Sequence, residues 1–470
     1  MNPIDAPFSP VGIPLNPKGL KFGTDGIRGS VNTILTPALA MQIGYWLGKV
    51  LVEPGPILIG MDSRNSGPML VSALSAGLNV CGREVWNLGL CPTPAIPGLI
   101  RRFSLPGGIM VSGSHNPPQD NGIKMFKDGG AKIDQVQQEE IERKLKGDQD
   151  ISSKSPLTAK YYHYGCTYER YDLLEFYRNS LLDSVYSQRL DGLKIVLDLC
   201  WGSATVCGAE LFQVLGADVI ALHAEPNGLK INTNCGSTHL KPLQRAVLEN
   251  GADMGFSFDG DADRMLAVDS QGRILDGDQI LYLWGSALMD KGKLPGNKLV
   301  ATIMSNLAFE KIWNSRGGVL ERTSVGDQYV YEAMETTGAA LGGEQSGHIL
   351  SIQNNMSGDG LLTALHVATL IQASGSSLST WMNSSFVAYP QKLLSVRIST
   401  SSSRHKWQQS DEVRQVLEES KTAMNSNGRI LIRASGTEPV LRIMVEAINM
   451  EIVDYWSKKL VLAIENSFPR

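Results

Sequence analysis

Long apolar runs are missing from this 470-residue sequence. No stretch approaches the roughly eighteen uninterrupted apolar residues of a membrane-spanning helix, so no membrane partner is expected. Blocks of Lys and Arg are missing too, and the net charge is −4, which argues against nucleic acid as a partner. Cysteine is scarce, with six residues and neither a Cys-x-x-Cys pair nor a framework spacing. They read as reduced, mostly buried thiols of a cytoplasmic protein. The first twenty residues hold five prolines and no basic segment leading into an apolar one. That pattern excludes a secretory signal and predicts an extended arm over residues 1–20. Neither Gly-x-x-x-x-Gly-Lys-Ser/Thr nor Gly-x-Gly-x-x-Gly occurs, so the Gly-rich loops are not nucleotide loops.

What is present is ordinary for a globular chain, 42% hydrophobic and 19% charged. The length suggests roughly three or four domains. One pattern occurs three times. Ile57–Asp62 reads as a buried strand, followed by Ser63-Arg64 and a helical run over Met69–Leu78. Lys194–Leu199 leads in the same way through Gly202–Ala204 to an apolar helix, and Lys298–Ile303 through Ser305-Asn306 to Leu307–Trp313. Each copy is followed by a short strand of small residues that enters a polar loop. These are Gly107–Val111 into Ser112–His115, Gly251–Phe258 into Asp259–Asp261, and Gly338–Leu341 into Gly342–Ser346.

Three related α/β domains with mainly parallel mixed sheets follow from this repetition, over 21–158, 159–268 and 269–380. Open α/β sheets bind ligands beyond the carboxyl ends of their strands, so one central cleft shared by the three loops is the economical arrangement. The Ser-rich stretch Ala373–Trp381, ending in Asn383–Ser385, reads as a linker or a loose domain boundary. Beyond it, strands at Leu393–Ile398, Arg429–Arg433 and Val440–Glu446 and helices at Asp411–Met424 and Val453–Glu465 predict a smaller α+β domain over 386–470.

Five stretches carry chemistry. In Met110–Pro118, Ser114 is a candidate phosphoryl carrier, although Ser-His-Asn-Pro also suits a plain turn. His115 beside it, and Lys124 ten residues on, are candidates to move a proton. Each also has a plainer reading, as a loop-orienting histidine and a surface lysine. Asp259, Asp261 and Asp263 alternate after a strand, which puts three carboxylates on one side. They cannot all stay ionised without a cation, and oxygen-only ligands suit Mg²⁺; the alternative is a solvated acidic turn. Arg433–Pro439 with Arg442 offers guanidiniums, hydroxyls and loop N–H groups for a phosphate dianion, or is a hairpin with incidental arginines. In Gly342–His348, Glu344 and Ser346 suit sugar hydroxyls. In Phe22–Gly29, Arg28 is placed to meet a phosphate, or the segment is a simple turn.

Taken together and in this order, from Phe22 to about Glu446, these motifs resemble the α-D-phosphohexomutase superfamily. The resemblance implies four domains around one cleft and an active-site phosphoserine at Ser114. It implies Mg²⁺ held by Asp259, Asp261, Asp263 and the seryl phosphate, with Arg264 beside that loop. Glu344, Ser346 and Gly326 would meet the sugar. Arg433, Ser435, Gly436, Thr437 and Arg442 would hold the phosphate that is not transferred.

Gly23–Gly29 and Gln345 look like the members acting on glucosamine phosphates; phosphomannomutase/phosphoglucomutase members carry Met in the place of Gln345. The implied reaction converts glucosamine 6-phosphate to glucosamine 1-phosphate through a 1,6-bisphosphate, which also serves as activator. The product would feed UDP-N-acetylglucosamine and cell-wall synthesis, and the enzyme would work as a monomer or homodimer. A phosphomannomutase/phosphoglucomutase, a Mg²⁺-dependent phosphatase and a sugar-phosphate sensor remain as alternatives. Two positions depart from the family pattern: Gly113 replaces the usual Ala, which should loosen the loop, and Gln328 replaces the usual Arg.

Overall fold

The computed structural model describes residues 22–23, 25–146, 164–185, 188–353, 357–398, 407–434 and 440–468. The arm expected over residues 1–20 lies outside them. The first sheet holds β1 (Ile27–Ser30), β2 (Ile57–Met61), β3 (Val85–Leu90), β4 (Gly107–Val111), β5 (Asp120–Lys127) and β6 (Thr167–Glu169), in the order β1-β5-β4-β2-β3-β6. The second holds β7 (Lys194–Asp198), β8 (Asp218–Leu222), β9 (Met254–Phe258), β10 (Met265–Asp269) and β11 (Ile274–Leu275), ordered β11-β10-β9-β7-β8. The third holds β12 (Lys298–Thr302), β13 (Val319–Thr323), β14 (Leu341–Gly343) and β15 (Ile349–Ser351), ordered β13-β12-β14-β15.

One plan underlies all three. The leading strand (β2, β7 or β12) is fully or nearly fully buried and pairs in parallel with the next two strands. The second of these (β4, β9 or β14) then runs through a loop into an antiparallel partner (β5, β10 or β15). The loops bearing Ser114, the aspartates and Glu344 therefore leave equivalent strands at the same end. Parallel strands need long crossovers whereas the antiparallel return needs only a short loop, so this return is what projects each polar loop beyond the sheet edge.

Helices pack on these sheets by their apolar stripes. Pro37–Val50 buries Leu39, Ile43 and Leu47 against Leu70, Leu74 and Leu78 of Gly67–Val80. Gly44 and Gly77 let the two helices touch: a Cβ at Gly77 would lie 2.0 Å from the Met41 carbonyl oxygen.

The chain divides into two units, residues 1–304 with 318–384, and residues 305–317 with 385–470. The second unit has an antiparallel sheet of β16 (Gln391–Arg397), β17 (Gly428–Ala434) and β18 (Val440–Ala447), with β18 central. Helices Asp411–Met424 and Met450–Ser467 cover one core. Helix Leu307–Ser315 belongs to this unit. Buried Glu446 accepts the Leu307 N–H (2.8 Å) and pairs with Arg429, so an internal charge finds both partners.

Two expectations need correction. The Ser-rich stretch is not a loose linker: helix Gly360–Ser374 runs into it and a second helix covers Leu378–Ser384. Leu378 and Ser379 are buried, and Ser379 is bonded by Ser270 (2.7 Å) and Arg273 (2.9 Å). A buried Leu and tertiary partners outweigh the weak helix propensity of serine. Gly342 and Gly343, expected in a loop, form β14, where Gly342 approaches the Val300 carbonyl oxygen too closely for a side chain.

Candidate active site

The Ser114 loop is fixed from beneath. Ser112 donates its hydroxyl to Asp62 (2.7 Å) and accepts the Ser114 N–H (2.8 Å). Asp62 also pairs with Arg64 at 3.0 Å, and both side chains are fully buried. The Arg64 guanidinium donates to the carbonyls of Ser114 (2.9 Å), Asn116 (2.7 Å), Pro117 and Asp120 (2.8 Å). Asn232 adds bonds to the Ser114 and Asn116 carbonyls at 2.7 and 3.0 Å. These donors hold Ser114 in the left-handed region, at φ +49°.

Gly113 is part of this fit. A Cβ there would come 2.8 Å from the guanidinium carbon of Arg64. The glycine therefore does not simply loosen the loop; it makes room for the arginine that ties the loop down.

Ser114 Oγ donates to Asp259 Oδ2 at 2.7 Å and lies 3.2 Å from His115 Nδ1. Burial, with Arg264 and Arg28 nearby, pushes the His115 imidazole down to about 4, so it is neutral near pH 7. A neutral ring nitrogen beside a hydroxyl can accept a proton.

Asp259, Asp261 and Asp263 are all buried, and their ligand atoms lie within 4.8 Å of one another. Burial, then the like charges of Asp263 and Asp261, raise the Asp259 carboxyl well above its usual range. Asp261 Oδ1 and Asp263 Oδ1 are buried without a hydrogen-bond partner. Orphaned oxygens in a cluster of three carboxylates fit a hard divalent cation.

Lys124 is no surface lysine. It is almost fully buried and bridges Asp261 and Asp263 at 2.7 Å each, with Asp25 at 3.4 Å. Burial opposes its charge, yet Asp25, Asp261 and Asp263 hold its ammonium well above the usual lysine range. Thr93 also bonds Asp261, at 2.5 Å.

From the third domain, Glu344 accepts the Gly326 N–H (3.1 Å) and the Ser346 hydroxyl (3.4 Å). Gln345 reaches Asp276 (3.2 Å), which caps the helix Gly277–Asp290, so this side chain positions the loop. Gln328 bonds Glu332 on its own helix at 3.1 Å. His348 lies 3.6 Å from Asp263 and 3.4 Å from Asp327, and Lys132 joins Asp327 (2.7 Å) to Asp25 (2.6 Å). With Lys124, these groups close a ring of alternating charge through all three domains. Burial opposes the imidazolium, but Asp263 and Asp327 push His348 up to about 10. Arg28 pairs with Asp25 and reaches the Gly113 carbonyl at 3.5 Å. Arg264 donates its backbone N–H to Asp259 (3.2 Å), and its guanidinium lies 3.8 Å from Asp263.

The first unit thus brings together Ser114, His115, Lys124, Arg28, the three aspartates and Arg264, with Glu344 and Ser346 on the third loop and Gly326 at the start of the helix Asp327–Thr337. Sequence reasoning assigned no role to Arg64, Asp62, Thr93, Asn232, Lys132, Asp327 or His348. Asp62 and Arg64 had a usable signal, since they follow a leading strand; the others become visible only in three dimensions. In the second unit, Arg433 and Arg442 are direct partners across β17 and β18, and both are exposed. Ser435, Gly436 and Thr437 lie outside the described residues.

Comparison with known proteins agrees with this architecture. Family models described as phosphoglucomutase/phosphomannomutase match in four parts: alpha/beta/alpha domain I at 19–151, domain II at 175–272, domain III at 276–389, and the C-terminal domain at 393–462. The chain belongs to this family of phosphohexomutases. Its curated relatives include the phosphoglucosamine mutase of Synechococcus sp. (strain WH7803), 58% identical over 94% of this chain and 95% of the relative. The phosphoglucosamine mutase of Prochlorococcus marinus (strain MIT 9313) is 56% identical over 99% of both. The chain is therefore an enzyme, an isomerase of carbohydrate metabolism. Among solved structures, a phosphoglucomutase/phosphomannomutase family protein from Burkholderia thailandensis shares the fold with TM-score 0.78 at 24% identity, over 95% of this chain and 97% of that one. An Aspergillus fumigatus N-acetylphosphoglucosamine mutase solved with GlcNAc-6P and magnesium gives TM-score 0.68 at 18% identity, over 95% and 96%. No single described helix is long and apolar enough to cross a membrane.

Proposed function

We propose that the protein interconverts glucosamine 6-phosphate and glucosamine 1-phosphate, with Ser114 as phosphoryl carrier. The observation that carries this reading is the 2.7 Å bond from Ser114 Oγ to Asp259, which sets a hydroxyl against a buried acidic cluster. The names of the full-length relatives supply the amino sugar.

Phosphorylated Ser114 gives its phosphoryl group to O1 of glucosamine 6-phosphate, forming the 1,6-bisphosphate. The bisphosphate turns over, the O6 phosphoryl group returns to Ser114, and glucosamine 1-phosphate leaves. His115, neutral near pH 7, takes the proton from the attacking hydroxyl and returns it in the second half. Lys124 stays protonated between its carboxylates and faces the charge of the transferring group. Mg²⁺ held by Asp259, Asp261 and Asp263 would neutralise charge on that group. Glu344, Ser346 and Gly326 meet the sugar, and the Arg433–Arg442 pair, with Ser435, Gly436 and Thr437, holds the other phosphate. A hexosamine 1,6-bisphosphate serves as activator because an unmodified Ser114 has no phosphoryl group to give. In this reading the enzyme is cytoplasmic and supplies the precursor of UDP-N-acetylglucosamine.

The test is kcat/KM for glucosamine 6-phosphate against glucose 6-phosphate and mannose 6-phosphate, with Mg²⁺ and a 1,6-bisphosphate. A preference of about tenfold or more for the amino sugar, the equivalent of ~1.4 kcal/mol, supports the reading. Equal or reversed preference contradicts it.

A further inference from the structure

A second cluster of metal-ligating side chains lies at the ends of β7 and β8, outside the acidic loop. Asp198, His223 and Cys235 bring ligand atoms within 4.8 Å of one another. The Cys235 thiol donates to that of Cys200, which lies beside the cluster with its sulfur 3.9 Å away. His223 Nδ1 and Asp198 Oδ1 are hydrogen-bonded at 2.7 Å. Backbone strain is concentrated here: Cys200, Trp201, His223, Asn232 and Asn234 all have φ between +51° and +59°. Strain of this kind persists where the surroundings over-determine a site. Asp198, Cys200 and Cys235 are buried, while the His223 side chain is 23% exposed and gives the cluster its opening.

We propose that Cys235, His223 and Asp198 form a three-ligand site, with solvent as the fourth ligand, for a thiophilic divalent cation of the zinc class, distinct from the oxygen-only cluster at Ser114. On binding, the Cys235 thiol proton leaves to solvent, and the ion takes the place of the proton between His223 and Asp198. The site is coupled to the Ser114 loop. The Cys200 thiol now donates to Asn232 Oδ1 (3.1 Å), and the Asn232 amide donates to the Ser114 and Asn116 carbonyls. A metal-bound Cys235 thiolate has no proton to give Cys200 and becomes an acceptor for the Cys200 S–H, so Asn232 loses the contact that orients it, and the ion slows turnover.

The probe is Co²⁺ alone, added to the full-length reduced protein under anaerobic conditions. The acidic loop offers only oxygen, so a sulfur-to-cobalt charge-transfer band reports a thiolate ligand, and its loss in Cys235→Ser assigns it to this site rather than to the exposed Cys166. The expected result is such a band with one Co²⁺ per chain at this site, weakened about 100-fold or more in affinity by Cys235→Ser. Zn²⁺ at saturating Mg²⁺ should then slow the wild-type mutase but not Cys235→Ser, whose activity without Zn²⁺ stays at the wild-type level. Absence of the band, a band unchanged in Cys235→Ser, or loss of two thiols to a disulfide without bound metal overturns the site. Zn²⁺ binding without slowing overturns the coupling through Asn232. The spectroscopic arm involves no sugar, so its failure is distinguishable from failure of the proposed reaction.

Discussion

Ser114 and Asp259 stand 145 positions apart in the chain, yet the hydroxyl of one donates to the carboxylate of the other at 2.7 Å. Two different domains meet at this bond because each extends a loop from the same place in its sheet, after β4 and after β9. The bond puts a nucleophile-sized hydroxyl against three buried carboxylates whose mutual repulsion a cation would relieve.

Asp261→Asn is expected to lower kcat by about 100- to 1,000-fold, the scale for removing one group from an electrostatic site. The dependence of rate on Mg²⁺ should shift to higher concentration. Titration of activity with Mg²⁺ in wild type and variant checks this; identical Mg²⁺ curves would count against the acidic loop as the metal site.

Gly113→Ala is expected to destabilise the first unit by about 1–3 kcal/mol, because the new methyl group meets the Arg64 guanidinium in a packed interior. Arg64→Met should cost more, roughly 3–5 kcal/mol, since it strands Asp62 and the loop carbonyls. Thermal unfolding of both variants tests the order. If Gly113→Ala were neutral, the proposed fit between the glycine and the arginine would be wrong.

The raised pKa of His348 has a stability consequence with a definite sign. Its folded value, about 10, exceeds the unfolded value of about 6.5, so its contribution is complete below the lower value. It fades as pH rises through the upper one. Wild-type stability should therefore decline between about pH 6.5 and 10, and His348→Gln should flatten that decline. Denaturant midpoints across this window give the comparison, and parallel slopes would exclude the charge ring as their source.

Arg442→Ala is expected to raise KM for sugar phosphates by about 10- to 100-fold, as for loss of a hydrogen bond to a charged group. Steady-state kinetics at two salt concentrations check the value. An unaltered KM would remove the arginine pair from phosphate binding.

Much of this was legible in the sequence, for identifiable reasons. Each site loop follows a short buried strand with few competing patterns, and the helix at Asp411–Met424 begins after a Ser410 cap and has the bounds its periodicity predicts. The Ser-rich stretch misled because local propensity is weak against burial of Leu378. Lys124 is legible as a candidate but its surroundings are not: nothing in Asn121–Lys124 shows that three aspartates from elsewhere, Asp25, Asp261 and Asp263, surround it. Arg64 and Asn232 hold the Ser114 loop through its carbonyl groups, and backbone acceptors leave no trace in a sequence.

The central claim is that Ser114 carries the phosphoryl group between the two halves of the reaction. The most direct measurement uses a hexose 1,6-bisphosphate labelled with ³²P, followed by peptide mapping of the enzyme and a chase with unlabelled glucosamine 6-phosphate. The account predicts label on the peptide containing Ser114, its transfer to sugar phosphate during the chase, and no label or turnover in Ser114→Ala. Label at another residue, or sustained turnover in Ser114→Ala, would contradict it.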